Sequence, residues 1–161
     1  MQFIESNEIA AWCKEHGIAL SKDYQPLPDA ALIHQSRVVY ANGKRSGQES
    51  KIALRCVRAL GDWQECLLLV TGWGIWGSGE DWPTYYAARG KRGERRSIEQ
   101  APGHLFGEND GEELSEFLTL VLENGWDAYL LEVPKEKAKM VRLQVSHDEW
   151  VEARSSEAIS L

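Results

Sequence analysis

Residues 110–126 constrain the fold of this chain more than any other stretch. Asp110-Gly111-Glu112-Glu113 has the D-x-x-E spacing of a helix start, Leu114, Phe117, Leu118, Val121 and Leu122 recur at three- and four-residue intervals, and Gly125 supplies the stop. A helix with so continuous an apolar stripe must lie on an apolar surface. The neighbouring sequence offers one: Trp126 to Val133 reads as a strand, the chain turns through Pro134, and Met140 to Ser146 returns as a second strand.

The rest of the chain repeats this alternation of elements. A first helix is expected over residues 7–16, capped by Ser6 and ended by Gly17, with Ile9, Trp12, Cys13 and His16 on one face. Pro26 and Pro28 make residues 18–31 irregular, a short strand follows from Leu32 to Tyr40, and Asn42-Gly43 marks a turn ahead of the polar loop from Lys44. Residues 48–60 suit helix or strand. Helix is favoured because Ile52, Cys56 and Leu60 then share a stripe while Arg55 and Arg58 fall opposite it. Leu67-Leu68-Leu69-Val70 reads as a fully buried strand, and Asp81 caps a short helix with Pro83 in its first turn. The 161 residues fit one domain. The expected architecture is α+β, with helices packed on a small mixed or antiparallel sheet over residues 1–153 and a flexible tail at 154–161.

Composition excludes several function classes. No apolar run approaches the length of a membrane span, and the N-terminal residues Met1 to Glu5 lack the features of a secretory signal. A net charge of −7 argues against nucleic-acid binding by the protein as a whole. Cys13, Cys56 and Cys66 form no C-x-x-C pair, so neither a disulfide framework nor a zinc knuckle is encoded, and a reducing cytoplasm is expected. No metal site and no cofactor are expected.

Charge is unevenly placed. Residues 1–96 hold 13 Lys and Arg against 11 Asp and Glu, whereas residues 97–161 hold 5 against 14, a net of −9. Seven tryptophans are an excess for a chain of this length. Together these predict an acidic protein-binding module that docks on a basic partner, as an immunity protein masks a toxin, through Glu108, Asp110, Glu112, Glu113 and Glu116. The alternative is a small enzyme or anionic-ligand-binding domain. Trp82, Tyr85, Tyr86, Arg89 and Arg92 combine rings with guanidinium groups and would hold the anion, while His104 with His147 or Asp148 would move protons. Asp127 adds a second partner for His147. The enzyme case is the thinner one, because no nucleophile elbow or metal-ligand spacing is present. Gly72-Trp73-Gly74-Ile75-Trp76-Gly77 spells G-x-G-x-x-G, but no helix opens inside it and two tryptophans crowd the phosphate positions, so a glycine-punctuated strand end is the better reading.

Four segments carry a resemblance: Glu80 to Arg89 (EDWPTYYAAR), Ala101 to Phe106 (APGHLF), Gly125 to Leu130 (GWDAYL) and Ser146 to Trp150 (SHDEW). In these the chain resembles a group of small uncharacterised bacterial proteins of similar size, over about residues 60–152. The resemblance implies a bacterial, cytoplasmic, stand-alone domain and transfers no activity, cofactor or catalytic residue.

Overall fold

The computed structural model describes residues 1–40, 47–135 and 139–161. In chain order the elements are β1 (Gln2–Ile4), α1 (Ser6–Glu15), β2 (His34–Val39), α2 (Gln48–Leu60), β3 (Trp63–Gly72), α3 (Trp82–Lys91), β4 (Gly103–Gly107), α4 (Gly111–Asn124), β5 (Asp127–Pro134), β6 (Val141–Ser146) and β7 (Trp150–Ser155). The strands form one seven-stranded sheet in the order β1-β4-β3-β5-β6-β7-β2, antiparallel throughout. The chain is an α+β domain, as its patterning predicts.

Because side chains alternate across a strand, the register divides every strand between two faces. Cys66, Leu68 and Val70 of β3, Ala128 and Leu130 of β5, Leu143 and Val145 of β6, and Val151 and Ala153 of β7 share one face, where they pack against the stripes of α2, α3 and α4. Phe117 and Trp126 are fully buried there. Each large side chain taken out of water at such a position contributes roughly 2–3 kcal/mol. On the other face Leu67, Leu69 and Leu131 lie beneath Ile9, Trp12 and Cys13 of α1. Gly103 permits this approach: a Cβ there would sit 2.7 Å from Ile4 and 2.9 Å from Ile9.

Several local expectations are corrected. Ser6 does not cap α1; the Glu8 carboxylate accepts from the Glu5 amide at 2.7 Å and closes that end. His104 lies on β4 and not in a loop, because Gly103–Gly107 completes a ladder between β1 and β3. Arg154 and Ser155, expected in a tail, belong to β7, which needs all six of its residues to bridge β6 and β2. Beyond it Ile159 and Leu161 pack against the helix-side core, and the Leu161 amide donates to Ser36 Oγ at 3.1 Å. The turn at Asn42-Gly43 lies outside the described residues, as do 44–46 of the polar loop. All three cysteines are buried free thiols; burial pushes Cys13 up to about 11 and Cys56 up to about 12.

Candidate functional site

The α1-side face of the sheet changes character along its width. Two cross-strand rows run from apolar to charged: Leu69, Tyr129, Gln144, Glu152 and Arg37 form one, and Leu67, Leu131, Arg142, Arg154 and Gln35 form the other. α1 covers the apolar end. Among the described residues the charged end has no helix over it, and the irregular segment 18–32 covers it.

That segment is fastened tightly. The Ser21 amide donates to Gln25 O and the Leu27 amide to Ala19 O, both at 2.8 Å, and Ser21 Oγ accepts from the Asp23 and Gln25 amides. Asp29 accepts from the Ala31 amide at 2.9 Å and holds Arg142 Nη2 at 3.1 Å, while Leu32 anchors the far end in the core. Between loop and sheet lies a cavity of about 320 Å³. Pro26, Leu27, Pro28 and Leu32 wall one side; Tyr129, Leu131, Arg142, Gln144, Glu152 and Arg154 line the sheet side.

The polar groups of this cavity are held in place from behind. Glu152 accepts from Gln35, Arg37 and Arg154. Burial pushes its carboxyl up, and the combined donation outweighs this and holds it below the ordinary value. Arg37 also lies over the Trp150 ring at 4.3 Å. Arg142 stands directly opposite Arg154, an arrangement of like charges that a sheet disfavours unless anions intervene. Asp29 and Glu152 pair with Arg142 and Arg154 in the cavity lining, and Arg37 stands behind Glu152 outside the lining. Arg142 Nε is buried and has no acceptor among the described residues.

The ring-and-guanidinium set expected to bind an anion is used internally. Tyr85 and Arg89 are fully buried. Arg89 donates to Ala101 O, Arg96 O and Tyr85 Oη. Tyr85 Oη, which accepts from Arg89, donates to His104 Nε2 at 2.9 Å, leaving His104 Nδ1–H to donate to Leu68 O at 3.3 Å. Burial, reinforced by the Arg89 charge, pulls His104 down to about 3, so it stays neutral. Trp82 stacks on Tyr86 and packs on Trp126. Tyr86 Oη accepts from the Ile98 amide at 3.3 Å.

The predicted docking acids are also matched within the chain. Arg92 pairs with Glu113 at 3.0 Å and with Glu116 at 2.7 Å, Lys135 with Glu108 at 2.7 Å, and the Met1 amine with Asp110 at 2.8 Å. Glu112 is exposed.

His104 and His147 do not meet. β3 and β5 stand between their strands, roughly 14 Å at the usual strand spacing. His147 instead joins Asp127: its ring Nδ1 lies 2.9 Å from both carboxylate oxygens, and its amide donates to Oδ1 at 2.8 Å. The Asp127 hydrogen bond raises its pKa. Asp148 lies 3.6 Å from Nε2 and is exposed. Gly72 makes room for this pair, since a Cβ there would be 2.6 Å from Asp127 Oδ2. The following glycine-rich loop is tied by Glu80, which accepts from the Gly74 and Trp76 amides. Among the described residues no three His, Cys, Asp or Glu side chains converge as a metal site requires.

Arg37, Arg142, Gln144, Glu152 and Arg154 were absent from the sequence-based candidates. Arg142 and Gln144 carry a signal, the strict alternation of Val-Arg-Leu-Gln-Val-Ser over 141–146, which puts its polar residues on one sheet face. Compared with known proteins, the chain matches no family model, no curated protein and no solved structure, so its own geometry carries the functional argument.

Proposed function

We propose that this protein is a ligand-binding domain that takes a small carboxylate or phosphate ester with an apolar body in the cavity between the 18–32 segment and the charged end of the sheet. The observation that carries this reading is the opposed pair Arg142 and Arg154 on the cavity floor, together with a buried Arg142 guanidinium N–H that lacks an acceptor among the described residues. Buried donors without acceptors are costly, and an entering anion relieves that cost. The apolar wall of Pro26, Leu27 and Leu32 suits the body of such a ligand, and the cavity volume falls in the range of small-molecule sites. The ligand-binding expectation from the sequence is retained, with its residues moved from α3 to the open sheet face.

Benzoate and phenylphosphate, with benzyl alcohol as the neutral control, test this by calorimetry and by shifts of the amide NMR signals of β6 and β7. Both anions are expected to bind, and Arg142→Gln to weaken them roughly tenfold or more, as loss of a charge-assisted hydrogen bond would. Equal binding of benzyl alcohol, or an unchanged affinity in Arg142→Gln, overturns the reading.

Docking on a basic protein partner in the bacterial cytoplasm is a second reading. It is supported by the net −9 of residues 97–161 and by Trp76 and Ile75, 55% and 41% exposed beside each other in the glycine-rich loop. A salt-sensitive basic partner whose affinity drops in Glu112→Lys/Glu116→Lys would favour it; unchanged affinity would remove that surface.

A further inference from the structure

The outer edge of β2 is self-complementary under a two-fold rotation, and we propose that a second copy of this chain pairs with it antiparallel, joining two seven-stranded sheets into one. Among the described strands β2 pairs with β7 alone and ends the sheet. The opposite edge is guarded: β1 has three residues, and Arg96 donates to the Phe3 carbonyl at 2.9 Å. β2 has six residues and no proline, lysine or bulge, the devices that keep an edge from pairing. Ile33, just before it, and Val39, its last residue, are 76% and 74% exposed, more than any other large hydrophobic residue described.

The register follows from charge and polarity. Gln35 and Arg37 face the open side of the sheet with Arg154 and Glu152, and by the strand's period of two Ile33 and Val39 share that side. A two-fold centred on Ser36 sets Ile33 opposite Val39 of the second copy and Gln35 opposite Arg37, with both pairs occurring twice. Apolar side chains then meet at each end and polar ones in the middle. Centring on Arg37 instead would oppose two guanidinium groups, and centring on Gln35 would set Arg37 against Ile33; both are disfavoured. The backbone agrees with the first choice. The Tyr40 amide donates inward to Glu149 O, so by alternation the amides of residues 33, 35, 37 and 39 point outward. Those residues make up the two facing pairs, which can exchange hydrogen bonds directly. The charged faces of the two copies become continuous, and each cavity stays open.

Charge exchange tests partner and register together. Sedimentation equilibrium from micromolar to millimolar protein is expected to show a dimer. I33K and V39E are each expected to weaken it roughly tenfold, by burying an unpaired charge against an apolar side chain. In the double variant I33K/V39E the new charges face each other across the two-fold, so association returns. Both positions are solvent-exposed, and circular dichroism confirms that each variant is folded. A wild-type chain that stays monomeric throughout, single variants that dimerise undiminished, or a double variant that fails to recover each overturns the proposal.

Discussion

One sheet presents two unlike faces, and the contrast shows where this chain invests in stability and where it leaves room for binding. Under α2, α3 and α4 the strands contribute Leu, Val and Ala side chains, and even the polar groups buried there, Arg89, Tyr85 and His104, are chained to one another and to carbonyls. Over β6, β7 and β2 the opposite face carries three arginines, a buried glutamate and a cavity. A close-packed interior tolerates no vacancy, so the first face resists change. The second carries charged side chains around an open cavity, where a ligand can enter without displacing packed side chains.

The largest effect expected on the packed face comes from Trp126→Ala. The indole is fully buried, with ring centroids 4.8 Å from both Trp82 and Tyr85, and its removal should cost about 3–5 kcal/mol in denaturant unfolding. A loss below about 1 kcal/mol would mean that the two faces do not differ as described.

Glu132 sharpens the comparison, because it is the one carboxylate on the packed face of β5. Its Oε1 accepts from the Val141 amide, its Oε2 has no partner among the described residues, and burial pushes it up to about 7. With the folded pKa above the unfolded one, the stability it contributes is complete below about 4.5 and lost as pH rises through about 7. The loss amounts to roughly 3 kcal/mol. His104 runs the other way: held down to about 3, its contribution is present above the ordinary histidine value and lost as pH falls toward 3. Glu132→Gln should therefore flatten the decline between pH 5 and 8 and leave the acid-side loss in place, as thermal unfolding across pH would read. A decline unchanged in this variant would place the titration elsewhere.

Arg89→Met leaves the Ala101 carbonyl without its donor and removes the bond that Tyr85 Oη accepts, and should cost about 2 kcal/mol. It should also raise the His104 pKa, followed by its imidazole NMR signals, because the neighbouring charge is gone while burial remains. On the open face Gln144→Ala should change stability by no more than about 0.5 kcal/mol. Arg92→Ala, which loses the pairs to Glu113 and Glu116 at the surface of α4, should cost no more than about 1 kcal/mol. A large loss at Gln144 would make the open face a structural one and undercut its assignment to ligand binding.

The helices were legible because their signals are local: the stripe from Leu114 to Leu122 and the Gly125 stop, at φ 61°, need no partner to be read. Strands β1 and β4 were not. Gln2–Ile4 is too short for an alternating pattern, and Gly103–Gly107 sits behind Pro102 with glycine at both ends, which reads as a loop until β3 offers it a ladder.

Site residues divide along the same line. The residue types in Trp82, Tyr85, Arg89 and Arg92 announced an anion site, but whether a guanidinium meets solvent or a carbonyl depends on which side of a helix the sheet lies. Likewise the sequence alone determines that Arg142, Gln144 and Glu152 alternate with apolar neighbours. Which strands stand side by side, and hence that Arg37 of β2 and Arg154 of β7 meet on Glu152 while Arg142 of β6 reaches Asp29 of the 18–32 segment, was decided only by the tertiary pairing. Period-two patterning fixes the face of a residue within its own strand, whereas its cross-strand neighbour is set by contacts between segments as distant in sequence as Arg37 and Glu152.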